Sequence, residues 1–205
     1  MRLMLVEAPA AEPLSLADMK LQLRLPAGYT AEDATLGRVI RASRHRVERW
    51  TWRRLIDQGV AMVTAGFVGS RGGLLLPTAP ISSVVEVAYR DADGAPQVLD
   101  PESYYLDGTE GEPMTLRPAR GFAWPAVDRE SAEPVRVTVR AGWADAAALS
   151  AEAEDLVAAV AMLATHLFDN RGQQTVGSTV GRNVVVAEEL AAPWRLPVAV
   201  SGGGA

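Results

Sequence analysis

Two long stretches of the chain place apolar residues at helical spacing. In the first stretch, six positions fall within an arc of about 100° when drawn at 100° per residue, as a helix with one buried stripe requires. These positions are Leu36, Val39, Ile40, Ser43, Val47 and Trp50. The pattern predicts a helix that follows an N-cap at Thr30 and runs to about Arg54.

The second stretch lies near the C-terminus and predicts another long helix. Its apolar stripe comprises Leu156, Val157, Val160, Leu163, Leu167 and Phe168. Ser150 is a suitable N-cap, and Gly172 is a suitable residue to end the helix in the left-handed conformation. A shorter helix is predicted over Leu16–Arg24, because Ser15 and Asp18 have the spacing of a capping box.

Residues 57–145 have a different pattern, in which short β-type segments alternate with turn residues. The predicted strands are Val60–Phe67, Leu74–Leu76, Val84–Tyr89, Gln97–Leu99, Tyr104–Leu106, Met114–Leu116 and Val135–Val139. Asp91–Gly94 predicts a hairpin turn with glycine at the position of positive φ. Short consecutive strands without helices between them favour an antiparallel β subdomain.

The last segment, residues 172–205, has no strong helical period, and we name it the C-terminal arm. It carries Val184, Val185, Val186, Leu190, Trp194 and Arg195, and it ends in a glycine-rich tail that we expect to be flexible. The sequence therefore predicts an α+β fold: a small helical core of residues 1–56 and 146–171, an inserted antiparallel β subdomain of residues 57–145, and an extended arm. An extended arm with apolar side chains can add a strand to a neighbour's sheet.

Composition narrows the possible functions. The 205 residues carry a formal net charge of −5, which argues against a protein that coats nucleic acid without sequence preference. The chain has no cysteine, so disulfides, thiolate zinc sites and cysteine nucleophiles are excluded. The apolar part of the N-terminal segment is too short for a signal peptide. No later segment has the length of apolar sequence that a membrane span needs, so we expect a soluble protein.

The segment 38–54 is the strongest local charge feature, with seven arginines and one glutamate. Five side chains are predicted to lie opposite the apolar stripe: Arg38, Arg41, His45, Arg49 and Arg53. The interpretation we favour is a solvated face or a contact between subunits. The alternative is a DNA-binding regulatory protein that uses the Arg-rich helix 38–54 to bind phosphate.

Catalytic chemistry finds little support in the sequence. Asp107, Glu110 and Glu112 cluster in one loop, and His166 lies beside the stripe of the last long helix, so a small hydrolase is a second alternative. No Gly-x-Ser-x-Gly elbow, phosphate-binding loop or metal-ligand spacing accompanies them. We therefore expect no enzyme activity, no metal and no cofactor.

Several short motifs occur in a specific order along the chain. They are Pro13-Leu14-Ser15-Leu16-Ala17-Asp18-Met19-Lys20, Ile40-Arg41-Ala42-Ser43-Arg44, Val47-Glu48, Thr51, Leu76-Pro77 with Pro80-Ile81 and Ser83-Val84, Tyr89-Arg90-Asp91 with Asp93-Gly94, Tyr105-Leu106, Trp124-Pro125, Val137 and Val139 with Ala141-Gly142-Trp143, Ala161-Met162-Leu163-Ala164 with His166-Leu167-Phe168 and Asn170-Arg171, and Pro193-Trp194-Arg195. This order resembles the head–tail connector (adaptor) proteins of long-tailed bacteriophages and phage-like gene transfer agents. Trp52 departs from the family, which often has glycine there, and leaves the end of the helix open.

The resemblance implies a structural protein without catalytic residues. Such adaptors form a ring, commonly of about twelve copies, under the portal. The ring extends the DNA channel and carries the stopper or tail, while DNA passes through the lumen without specific binding. By this resemblance the C-terminal arm contacts the portal through Val184, Val185, Val186, Leu190, Trp194 and Arg195. Arg38, Arg41 and Arg49 are the expected subunit interface. The expected location is the head–tail interface of a particle assembled in the bacterial cytoplasm.

Overall fold

The structure, a computed structural model, describes residues 1–67, 72–109, 111–170 and 182–197. The chain forms two compact units, each of which has its own apolar core. The helical unit comprises residues 10–56 and 143–195, and the sheet unit comprises residues 1–9, 57–142 and the residues from 196 onward. Glu110, Gly172 and the glycine-rich tail lie outside the described residues, as do the predictions made for them.

Among the residues that the structure describes, four helices build the helical unit. They are α1 (Leu16–Gln22), α2 (Asp33–Thr51), α3 (Ala146–Asp169) and α4 (Arg182–Ala191), and a 3-10 turn (Ala192–Trp194) follows α4. Ser15 caps α1 as predicted, because its Oγ accepts a 3.1 Å hydrogen bond from the Asp18 amide. The helix α3 begins about one turn earlier than the sequence indicates, because its N-cap is Asp145 and not Ser150. The Asp145 carboxylate accepts a 2.8 Å hydrogen bond from the amide of Ala148.

The core of this unit confirms the predicted stripes. Leu36, Ile40 and Val47 of α2 are buried with Leu156, Val160 and Leu163 of α3. Trp50, Met162 and Phe168 are partly buried against the same cluster. Burial of a large aliphatic side chain contributes about 2 kcal/mol, so these two stripes account for much of the unit's stability.

The helix α2 is shorter than predicted at both ends. It begins at Asp33, and its N-cap is Glu32. The carbonyl oxygen of Thr30, the predicted N-cap, accepts the amide of Asp33 in the turn before the helix. It ends at Thr51 because Trp52 adopts the left-handed conformation, with φ of 61° and ψ of 8°. Trp52 thus adopts the conformation that glycine occupies most easily at the end of a helix.

Eight strands are present among the described residues of the sheet unit. They are β1 (Arg2–Glu7), β2 (Gln58–Thr64), β3 (Leu74–Leu75), β4 (Ile81–Arg90), β5 (Pro96–Val98), β6 (Tyr104–Asp107), β7 (Thr115–Pro118) and β8 (Val135–Ala141). One antiparallel sheet has the order β1-β2-β8-β4-β5, and a second has the order β3-β7-β6. The predicted α+β class with an inserted antiparallel sheet is therefore confirmed.

The strand β8 lies at the centre of the larger sheet and alternates as the sequence predicts. Val135, Val137 and Val139 are buried, whereas Arg136 and Arg140 are partly exposed. Arg140 joins two carboxylates, because its guanidinium donates hydrogen bonds to Asp57 and to Glu7. The hydrogen bonds that Arg140 donates to Asp57, and then to Glu7, raise its pKa.

The hairpin between β4 and β5 also confirms its prediction. Gly94 has φ of 81°, in the region that glycine enters without strain. The Asp91 carboxylate accepts the amides of Asp93 and Ala95 and the side-chain amide of Gln97, the last two at 2.9 Å. Asp91 therefore stabilises the turn through hydrogen bonds between its side chain and the amides of the turn.

Two segments differ from the sequence analysis. Residues 1–9, which we expected in the helical core, belong to the sheet unit because β1 pairs with β2 from Arg2↔Val63 to Glu7↔Gly59. Residues 182–191 were expected in an extended arm, but they form the helix α4, which packs against α3. Burial of Val184, Ala187 and Ala191 in the helical core explains this difference.

Candidate interaction surfaces

Four exposed cationic or titratable side chains form a stripe along α2. Arg38, Arg41, His45 and Arg49 fall within about 80° of helix circumference, at 100° per residue, and we name them the basic stripe. Within the described parts of the chain, none of these four side chains forms an ion pair or hydrogen bond. The stripe is thus a row of three arginines and one histidine that has no charged partner among the described residues.

Arg53 does not belong to this stripe, although the sequence analysis placed it there. Its exposure is only 7%, because α2 ends before it and its side chain turns into the helical unit. Its Nε donates a 2.7 Å hydrogen bond to the carbonyl oxygen of Trp194. The guanidinium carbon lies 5.5 Å from the centre of the Trp194 ring, which is within the range of a cation–π contact.

Arg44 and Glu48 form a buried charged pair on the flank of α2, between the apolar stripe and the basic stripe. Each is 2% exposed, and Arg44 Nη1 lies 3.3 Å from Glu48 Oε2. Arg44 Nε donates a 2.7 Å hydrogen bond to Glu12. Burial by itself would lower the pKa of Arg44, but the hydrogen bond that it donates to Glu12 and the charge of Glu48 outweigh burial and raise that pKa. These charges stabilise the fold and are not available to a partner.

The described part of the C-terminal arm is docked on the helical unit. Trp194 meets Trp143 edge to face, with 6.3 Å between ring centres. Arg195 Nε donates a 3.0 Å hydrogen bond to the carbonyl oxygen of Trp50. Of the residues predicted to contact a partner, Val184 is buried, and Val186, Leu190 and Trp194 are partly buried. Val185, at 42% exposure, and Arg195 remain exposed.

A groove of about 730 Å³ runs between α1 and the first half of α3. Small and apolar side chains of α3 form one wall, including Ala147, Val157, Ala158 and Ala161. Asp18 and Glu154 stand among its lining residues. The groove contains no residue of α2, so it is separate from the basic stripe.

Two of the residues weighed for catalysis, Asp107 and His166, have local partners. Asp107 accepts a hydrogen bond from Arg117 of the neighbouring strand β7. His166 Nδ1 lies 3.2 Å from the side-chain amide of Asn170, one helical turn away. The described residues contain no group of three or more His, Asp or Glu side chains that could hold a metal ion. Within the described ranges, every helix falls short of the length or apolarity that a membrane span needs.

Comparison with known proteins gives no match among protein-family models and none among curated proteins. Solved structures do match the fold over its whole length. A chain from the neck of an empty gene transfer agent (GTA) particle, computed with C6 symmetry, is 26% identical with a TM-score of 0.74. A chain from the virion of a native GTA particle has the same identity and TM-score. In both comparisons the match covers 98% of this chain and 99% of the other.

A third chain, from the neck of a native GTA particle computed with C12 symmetry, is 24% identical with a TM-score of 0.69, and it supports the fold alone. Its match also covers 98% of this chain and 99% of that one. The helical unit, the inserted sheets and their order along the chain are therefore an arrangement that chains of GTA particles also have.

Proposed function

We propose that this chain is a structural protein of the neck of a phage-like particle, a GTA or a bacteriophage, where it joins head to tail. The observation that carries the proposal is the match over 98% of this chain and 99% of a GTA neck chain, at a TM-score of 0.74 and 26% identity. A match over both full lengths concerns the whole architecture and not one common motif. The proposal gives the chain no catalytic role.

In this proposal the chain forms a ring under the portal, extends the DNA channel and carries the stopper or tail protein below. The C6 symmetry of the matching neck supports a ring. Twelve copies are the number we propose, as the resemblance to head–tail adaptors implies. The net charge of −5 supports passage of DNA without adhesion, because an acidic wall repels phosphate.

Two surfaces receive roles in this proposal. Arg38, Arg41 and Arg49 of the basic stripe contact the next subunit, since their charges have no partner among the described residues. The C-terminal arm contacts the portal. Of the six arm residues predicted to contact the portal, Val185 and Arg195 can do so without undocking, because both are exposed on the docked segment.

The test is deletion of the gene in a strain that produces the particles. We expect DNA-filled heads without tails in electron micrographs, and recovery of tailed particles when the full-length gene is supplied in trans. Particles that keep their tails and transfer DNA normally without the gene would overturn the proposal. Gold labelling of the tagged protein would place it in the neck of recovered particles.

The DNA-binding regulator remains a second candidate because the basic stripe is exposed and uncompensated. It predicts that the purified chain retards duplex DNA at moderate salt, and that Arg38→Ala and Arg41→Ala each weaken binding. The adaptor proposal predicts no retardation under the same conditions. A mobility-shift assay over a series of salt concentrations therefore separates the two functions.

A further inference from the structure

We propose that the groove between α1 and α3 receives the basic stripe of a second copy of this chain. This inference rests on the proposed function and names the contact that links neighbouring subunits in the ring. The segment that fills the groove is the α2 helix of the next subunit.

The groove has the chemistry of a binding site for a cationic helix. Its wall on α3 carries Val157, Ala158 and Ala161, and small side chains allow another helix to approach closely. On the α1 side, Leu21 lines the groove and is 79% exposed. A second copy would cover this side chain.

The charges that line the groove are mainly negative. Glu12, Asp18 and Glu154 contribute carboxylates, and Arg24 is the one cation among the described lining residues. Glu12 already holds Arg44, and Asp18 accepts the Ser15 hydroxyl. Glu154 has no ion pair or hydrogen bond with any described residue, so it is the carboxylate that is free to bind an arginine.

The basic stripe complements this groove in charge. From Arg38 to Arg49 it extends about 17 Å along α2, at 1.5 Å per residue. Ala34 and Ala42 are exposed on the same face, so the helix backbone can come close to the groove. Arginine stems can lie along apolar walls while their guanidinium groups reach carboxylates at the rim.

The stripe and the groove are different surfaces of one chain. Each copy can therefore place its stripe in the groove of one neighbour and receive the stripe of its other neighbour in its own groove. Such a contact is heterologous, and it closes into a ring when the rotation between copies allows it. Opposite charges on the two surfaces also disfavour stripe-to-stripe and groove-to-groove pairing. The same two surfaces therefore account for the direction of assembly.

A charge exchange tests this contact in particles from the deletion strain. The stripe variant carries Arg41→Glu and Arg49→Glu, and the groove variant carries Ser150→Arg and Glu154→Arg. We expect each to lower the count of tailed particles by about tenfold, because like charges then meet across the interface. The variant with all four changes should recover at least half of the loss, since the charges are complementary again.

The matched control carries Arg120→Glu and Arg129→Glu, two exposed arginines of the sheet unit, and should keep the wild-type particle count. Circular dichroism of each purified variant checks that it is folded. Folded stripe or groove variants that assemble as wild type, or a fourfold variant that stays as poor as the single exchanges, would overturn the contact. Tailed particles in the uncomplemented deletion strain would instead overturn the proposed function.

Cross-linking gives a second test that does not depend on charge. The chain has no cysteine, so introduced thiols are unique. Arg41→Cys combined with Glu154→Cys should give a ladder of multimers when assembled necks are treated with a short bismaleimide, and either change alone should not. Assembled necks without a ladder in the double variant would contradict the proposed contact.

Discussion

The guanidinium group of Arg53 contacts two different groups of Trp194. Its Nε donates a 2.7 Å hydrogen bond to the Trp194 carbonyl oxygen, and its guanidinium carbon lies 5.5 Å from the centre of the indole ring. The two residues are 141 positions apart, so this contact fixes the C-terminal segment on the end of α2. It also explains why an arginine is buried immediately after a helix whose other face is solvated.

Arg53→Ala should destabilise the helical unit by about 2 kcal/mol, because a charged hydrogen bond and a cation–π contact are lost together. Urea unfolding measures the change in the free energy of unfolding, and hydrogen exchange should show faster exchange of the α4 amides. Arg46→Ala is the matched control, since Arg46 lies 5.0 Å over the ring of Trp50 at a more exposed site. An equal loss of stability in both variants would contradict the role of Arg53.

Trp52→Gly should be more stable than Trp52→Ala by about 1 kcal/mol, because the native φ of 61° strains every residue with a Cβ. Both variants lack the indole, so their difference isolates the backbone conformation. Thermal and urea unfolding of the pair measure it. An alanine variant that equals the glycine variant would show that residue 52 does not hold the left-handed conformation in solution.

Glu48→Ala should cost about 3 kcal/mol of unfolding free energy, because it leaves the cation of Arg44 buried with Glu12 as its remaining carboxylate. The Glu48 carboxylate also accepts the amide of Leu55 at 3.2 Å, just beyond the end of α2. Glu133→Ala removes an exposed ion pair with Arg2 and should cost less than about 1 kcal/mol. Similar costs for the two variants would refute the assignment of a buried charge network.

Asp91 should titrate below the ordinary range of an aspartate. The hydrogen bond from Gln97, and then that from the Ala95 amide, lower the pKa of this carboxylate. Its contribution to the hairpin is therefore complete above the pKa of an unfolded aspartate, and it is lost as the pH falls through the lowered pKa of the folded state. Gln97→Ala should raise the pKa of Asp91, as NMR of its carboxyl carbon can measure. Val98→Ala on the same strand should leave it unchanged.

The helices and strands that the sequence predicted are those with a regular pattern of burial. In α2 and α3 the apolar positions recur at three and four residues, and in β8 valines alternate with arginines. Periodicity of this kind depends on one element and its nearest layer, so a single sequence contains enough information. The hairpin at Gly94 was predictable for a similar reason, since its chemistry lies within a few residues.

The features that were missed depend on partners far away in the chain. Arg44 and Arg53 look like exposed arginines in the sequence, but their partners are 32 positions earlier and 141 positions later. The helix α4 is rich in valine, which has low helix propensity, and packing against α3 stabilises it. The strand β1 needs β2, more than fifty residues away, and nothing within its own sequence provides that pairing.

The strands β2 and β8 pair along their full length, from Gln58↔Ala141 to Thr64↔Val135. Gln58 pairs with Ala141, so the first and last residues of the long insertion are neighbours on adjacent strands. A segment whose two ends already meet imposes no spacing on the helices from which it departs. The strands and loops between Thr64 and Val135 can accordingly be lengthened, trimmed or exchanged while the two-stranded stem of β2 and β8 is kept.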